Sequence, residues 1–143
     1  MKTTITKIDK PIPISIIRLE GRLDGSNYES LIEIARQTYA TGTRDLLLDL
    51  SQMNFISSAG LAAIHQVALI FRAEDFRGQD EGWAAYHSID RDRESGPQLH
   101  VKLLSPTKSV REVLAMTGFS ELFSIFTNLQ QALASFRQPA LSI

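Results

Sequence analysis

Two runs rich in β-branched residues open the chain, and their apolar and polar positions have the spacing of β-strands at 3–9 and 14–21. The segment between them, Lys10–Pro13, contains two prolines, which favour a turn. Apolar side chains fall on both faces of the second run. The pattern therefore predicts a hairpin at the start of the fold.

The apolar spacing then changes to that of a helix. Between residues 28 and 39 apolar side chains recur every three or four positions, which predicts an amphipathic helix. Ser26 and Glu29 have the spacing of a capping box at its start, and Gly42 is the expected stop. The apolar positions are Tyr28, Leu31, Ile32, Ala35 and Tyr39.

The next segment, Asp45–Leu50, is almost continuously apolar. Such a run is typical of a strand buried on both faces, as in a parallel sheet that helices cover. A polar stretch, Ser51–Asn54, follows and predicts a loop. Leu61–Phe71 is apolar nearly all round, which predicts a largely buried helix.

The C-terminal part continues this order of elements. Leu99–Leu104 predicts a strand, and Ser105 and Pro106 predict the N-cap and first position of the helix after it. Leu122–Thr127 predicts a last strand, and the apolar spacing from Leu129 onward predicts a terminal helix. Taken together, the elements predict an α/β fold with a mixed, mostly parallel sheet of about five strands and about four helices.

A charged segment at about 72–98 interrupts this pattern. It contains seven acidic residues and four arginines, and it is longer than most loops in compact domains. It also contains Trp83, the only tryptophan of the chain. An aromatic residue on a charged loop can anchor an interface, but a loop with Trp83 on the domain surface is the simpler interpretation. We expect one domain over residues 1–143 with this segment as an insert.

The composition is typical of a globular protein, with 43% hydrophobic and 22% charged residues. The formal net charge of −1 predicts no general attraction to nucleic acid or to an anionic membrane. Without cysteine there is no disulfide or thiolate site, and the three histidines lack ligand spacing, so we expect no metal. We expect neither a secretory signal nor a membrane span, and therefore a cytoplasmic protein.

Motifs of common enzyme classes do not occur in the sequence. Ser58, between a predicted strand and a predicted helix, invites comparison with a hydrolase nucleophile, but Ile56 stands where that motif needs glycine. There is no glycine-rich dinucleotide fingerprint and no phosphate-binding loop. No pair of acids lies in an apolar setting that would split their pKa values. The sequence predicts a binding protein with no cofactor, not an enzyme.

Three segments resemble the STAS domain, the fold shared by sulfate-transporter tails and anti-sigma-factor antagonists. Gly21-Arg22-Leu23-Asp24 is similar to the family's G-x-L-D at the end of the second strand. The segment 48–61 is similar to an apolar strand, D-L, a short loop and F-M-D-S-[ST]-G-L. The segment 104–119 resembles the family's S-P-x-V-x-x-x-L…G-L. The resemblance implies a STAS-like fold over nearly the whole chain except the insert.

In the antagonists of this family, the regulated serine follows the Asp of D-S-[ST]-G. The matching residue here is Ser58, the candidate for phosphorylation, with Ser57 as second choice. This chain has Ser57 where the family has Asp, and Ala59 where it has Ser or Thr. The implied partner-binding residues are Asp24, Ser57, Ser58, Ala59 and Gly60.

The same residues also have purely structural interpretations. Serines before a helix usually cap it, Asp24 before Gly25 favours a tight turn, and Gly60 fits a position of close packing. Capping by the serines is compatible with regulation.

The resemblance implies an anti-sigma-factor antagonist in a partner-switching circuit. Its partner would be an anti-sigma factor or serine kinase-like protein, and a separate serine phosphatase would reverse the phosphorylation. The alternative is a STAS scaffold subunit that is never phosphorylated and that forms homodimers or assembles with other STAS proteins.

Overall fold

A five-stranded mixed sheet forms the centre of the protein in the computed structural model, which describes residues 1–10, 12–72 and 97–137. The strands lie side by side in chain order. The first two are antiparallel, and each later strand is parallel to its neighbour. The strands are β1 (Lys2–Ile8), β2 (Ile14–Leu23), β3 (Leu46–Ile56), β4 (Val101–Leu104) and β5 (Ile125–Phe126).

Helices connect the parallel strands, because a parallel pair needs a crossover from the end of one strand to the start of the next. The described residues contain four α-helices and one short 3₁₀ turn at Phe119–Glu121. This architecture confirms the predicted fold class. The helices are α1 (Tyr28–Ala40), α2 (Ser58–Phe71), α3 (Lys108–Met116) and α4 (Leu129–Arg137).

The sheet carries apolar cores on both faces. Leu46 and Leu48 join the main cluster, in which side chains from α1, α2 and α3 pack on the sheet. Leu47 points the other way and joins a smaller cluster with Ala132 and Phe136 of α4. All three leucines are fully buried, and each contributes about 1.5–3 kcal/mol by leaving water. This alternation confirms that the central strand is covered on both faces.

A buried lysine helps to hold α4 on the smaller core. Lys102 of β4 is 8% exposed, and its ammonium donates hydrogen bonds to Ser135 Oγ at 2.9 Å and to the Ser135 carbonyl at 3.3 Å. The ammonium also lies 4.6 Å from the centre of the Phe136 ring. Burial lowers the pKa of Lys102 below its usual value. Its charge lies beside the last turn of α4, where the helix dipole favours a cation.

The predicted loop at Ser51–Asn54 is wrong, because β3 continues to Ile56 beside β2. Two irregularities in the pairing of these strands allow the extension. Gln52 and Asn54 are exposed while Met53 is buried, so the polar residues follow strand alternation.

Two predicted helix starts are also wrong. The N-cap of α1 is Asn27 and not Ser26, because the Ser26 hydroxyl donates to Asp24 instead of capping the helix. The N-cap of α3 is Thr107, and Ser105 has a positive φ of 51° before it. Thr107 Oγ1 donates to the carbonyl of Met53, which ties the start of α3 to β3. The predicted last strand, 122–127, shortens to Ile125–Phe126.

The charged insert, including Trp83, falls mostly on 73–96, outside the described residues, so it remains a prediction together with the single-domain organisation. The described residues on either side are Arg72, at the end of α2, and Pro97, before β4. Both flanks therefore lie at the edge of the sheet where the parallel strands begin.

Candidate partner-binding site

The predicted site residues meet at the opposite edge, where the parallel strands end. The helices α1, α2 and α3 begin at this edge because each follows the carboxyl end of a strand. In open α/β sheets this edge is the usual place for binding sites. The Ser57 amide donates to the Leu23 carbonyl at 3.0 Å. This bond brings the turn after β2, with Asp24, beside the start of α2.

The two serines at the start of α2 have different environments. Ser57 is the N-cap, and its Oγ accepts a hydrogen bond from the Gly60 amide at 3.2 Å. Ser58 is the first helical residue, and it is exposed. The hydroxyl of Ser58 is therefore available at the amino end of a helix whose other side is packed in the core.

Substituting the two serines separately should distinguish capping from other roles. We expect Ser57→Ala to lower the free energy of unfolding by about 1 kcal/mol, because the Gly60 amide loses its partner. Ser58→Ala should change it by less than about 0.5 kcal/mol, because the side chain is exposed. Urea unfolding of both variants measures the difference. Equal losses would show that Ser58 also has a structural role.

Asp24 is a turn residue with an oriented carboxylate. Its Oδ1 accepts hydrogen bonds from the Ser26 amide at 2.9 Å and the Ser26 hydroxyl at 2.6 Å. These bonds lower the pKa of Asp24, and the nearby Arg22 guanidinium contributes further in the same direction. Asp24 is therefore a fixed negative charge next to the start of α2.

Gly60 and Ala59 complete the first turn of α2. Gly60 is buried, and a β-carbon placed there would lie 2.7 Å from the Leu23 carbonyl oxygen. Only glycine lets the helix approach the end of β2 this closely. Ala59 is partly buried. The structure thus brings together all five sequence-predicted residues at one edge, and their role in binding a partner stays a prediction.

Comparison with known proteins places this geometry in a family. Residues 4–76 match the STAS domain profile. The Bordetella bronchiseptica protein BtrV, named as a candidate anti-sigma factor antagonist, is 32% identical to this chain over 138 residues, which cover 96% of each protein. This chain belongs to the STAS domain family of anti-sigma factor antagonists.

Solved structures show the same fold at low sequence identity. An anti-sigma factor antagonist from Mycobacterium paratuberculosis superimposes with a TM-score of 0.66 at 17% identity, covering 95% of this chain and 93% of that chain. The phosphorylated form of Bacillus SpoIIAA gives a TM-score of 0.53 at 13% identity, covering 93% and 97%. Proteins of this family are generally regulators without enzymatic activity.

A pair of residues that the sequence pattern does not reveal lies beside the site. Arg22 and Phe55 lie opposite each other in β2 and β3, and the guanidinium carbon is 4.0 Å from the centre of the ring. Phe55 is 39% exposed, so its ring is accessible at this edge of the sheet. Arg22 and Phe55 face each other only because β3 continues to Ile56. The pattern at 51–54 predicted a loop instead, so the pairing could not be recognised from the sequence.

Within residues 1–10, 12–72 and 97–137, no group of three or more His, Cys, Asp or Glu side chains is arranged to hold a metal ion. In the same part of the STAS domain, no helix is both long enough and apolar enough to cross a membrane.

Proposed function

We propose that this STAS domain acts in a partner-switching circuit, binding an anti-sigma factor with kinase-like character through the edge around Ser58. Phosphorylation of Ser58 by that partner or a related serine kinase releases the complex, and a separate phosphatase restores it. The observation that carries the proposal is the exposed hydroxyl of Ser58 at the first position of a packed helix. SpoIIAA, which has the same fold, is known in a phosphorylated form.

The start of α2 suits a serine that is modified while the domain stays folded. The first amides of a helix lack partners within the helix, and the helix dipole favours negative charge there. A phosphate adds about −1.5 to −2 charges, which this end of the helix stabilises. Ser57 supplies the cap, so modification of Ser58 leaves the capping bond in place.

The departure from the family motif at Ser57 is compatible with this function. The family has Asp at this position, and Ser and Asp are about equally good N-caps. The substitution therefore keeps the helix start and removes one negative charge next to Ser58. Asp24, on the adjacent turn, supplies a carboxylate at the same edge. The retained helix start and the nearby Asp24 carboxylate support recognition of Ser58 by a kinase despite the altered motif.

A second candidate is a constitutive scaffold subunit that is not phosphorylated. Ala59 in place of Ser or Thr favours it, and so does the exposed β1 at the end of the sheet. Ile5 in the middle of β1 is 46% exposed, and an edge strand of this kind can pair with a second sheet. The scaffold would assemble with its own copies or with other STAS domains.

Incubation with the cognate kinase and ATP, followed by intact-mass measurement, tests the proposal. We expect one added phosphate on the wild-type chain and on Ser57→Ala, and none on Ser58→Ala. Loss of the phosphate in Ser57→Ala but not in Ser58→Ala would identify Ser57 as the modified residue. No phosphate on any of the three chains would favour the scaffold, whereas a monomer in size-exclusion chromatography would count against it.

A further inference from the structure

Arg22 is a cation held by weak contacts at the edge that carries Ser58. Its side chain is 59% exposed, its Nε lies 3.5 Å from Asp24 Oδ2, and its guanidinium covers one face of Phe55. Exposed ion pairs and exposed cation–π contacts are among the weaker interactions in proteins. A stronger anion nearby can therefore form an ion pair with Arg22 in place of these two contacts.

The backbone brings the start of α2 close to Arg22. The Leu23 carbonyl accepts the Ser57 amide, so the residues on either side of Leu23 lie beside the residues around Ser57. Arg22 and Asp24 flank Leu23, and Ser58 follows Ser57 directly. A phosphate on Ser58 therefore forms on the segment that is hydrogen-bonded to Leu23, the residue between Arg22 and Asp24.

Release of Arg22 leaves Asp24 with its other partners. The Ser26 amide and hydroxyl bind Asp24 Oδ1 at 2.9 and 2.6 Å, and these two bonds lower the pKa of Asp24 more than Arg22 does. The carboxylate thus stays charged and oriented. A second anion beside it needs a counterion, and a phosphate with about two charges attracts a guanidinium more strongly than one carboxylate does.

We propose that Arg22 is the cation that pairs with a phosphate on Ser58, and that this movement uncovers the ring of Phe55. The inference rests on the proposed function, since it concerns the phosphorylated form. Modification then changes the partner surface in two ways. It adds negative charge at Ser58, and it exposes an apolar ring where a stacked guanidinium lay before.

The test uses the full chain with phosphoserine incorporated genetically at position 58, so that no kinase is required. The second pKa of the phosphate is measured by ³¹P NMR titration in the wild-type background and in Arg22→Gln. We expect the pKa to be lower by about 0.5 with Arg22 present, because a cation at about 4 Å stabilises the dianion. The difference should shrink in 1 M salt.

A second readout follows Arg22 itself. Its side-chain protons lie over the Phe55 ring and should show an upfield ring-current shift in the unmodified chain. We expect this shift to disappear on phosphorylation. Unchanged Arg22 resonances would overturn the proposal.

Arg44→Gln is the matched control. Arg44 also stacks on an aromatic ring, with its guanidinium carbon 3.8 Å from the centre of Tyr39, but it follows α1 at the opposite edge. Lys2→Gln and Lys108→Gln test two other cations, one in β1 beside the end of β2 and one at the start of α3. Equal phosphate pKa values with and without Arg22, or a larger effect of either lysine, would overturn the inference. Failure of a kinase to modify Ser58 would instead overturn only the proposed function.

Discussion

Replacing Gly60 by alanine is expected to lower the free energy of unfolding by about 3 kcal/mol, near the upper end of the usual cost of overpacking. The new β-carbon would lie 2.7 Å from the Leu23 carbonyl oxygen and 2.9 Å from side-chain carbons of Leu23 and Ile56. The oxygen belongs to backbone that also accepts the Ser57 amide, so it cannot move without breaking that bond. Relief of the clash therefore displaces the start of α2.

Urea unfolding of the full chain measures this effect, and Gly25→Ala is the control. A β-carbon at Gly25 would meet no atom within 4 Å, and Gly25 is exposed on the turn after β2. We expect the control to change the free energy of unfolding by less than about 0.5 kcal/mol. Similar losses in both variants would mean that the approach of α2 to Leu23 is not constrained as described.

Replacing Ser58 by aspartate is expected to weaken binding to the proposed anti-sigma partner about a hundredfold, while Ser58→Ala keeps the wild-type affinity. The carboxylate is exposed in the free domain and becomes desolvated when the partner covers it. If the partner offers no cation there, an uncompensated cost of about 3 kcal/mol produces a change of this size. The domain itself should remain folded, because an acid in the first turn of a helix is favourable.

Isothermal titration calorimetry with the purified partner measures both affinities. Ser120→Asp is the matched control, because Ser120 is an exposed serine in the 3₁₀ turn that follows α3 at the opposite edge of the sheet. It adds the same charge away from Ser58 and should change the affinity less than about twofold. Equal affinities of Ser58→Asp and Ser58→Ala would contradict the proposed switch.

The number, order and type of the main elements could be predicted from local patterns. Burial of a strand on both faces leaves a continuous apolar run, and Leu46, Leu47 and Leu48 show such a run. The start of α2 soon after β3 could also be predicted from local patterns, and the resemblance to the STAS motif located the exposed serine there. These features depend on neighbours within a few residues.

Other features depend on particular hydrogen bonds. The segment Ser51–Asn54 is polar enough for a loop, but β2 provides backbone partners that keep it extended. Ser26 has the position of a cap, but Asp24 accepts its hydroxyl. In both places a hydrogen bond to another residue overrides the local preference, and hydrophobic periodicity does not encode such a contact.

The amino-acid sequence by itself determined the α/β architecture and the two-sided burial of the central strand, because both follow from the local spacing of apolar and polar side chains. Its resemblance to the STAS family identified the candidate serine. Only the tertiary structure decided that Arg22 stacks on Phe55 and that the Asp24 turn lies beside Ser58. Both depend on the register between β2 and β3, which the hydrogen bonds and core packing of the folded sheet set together.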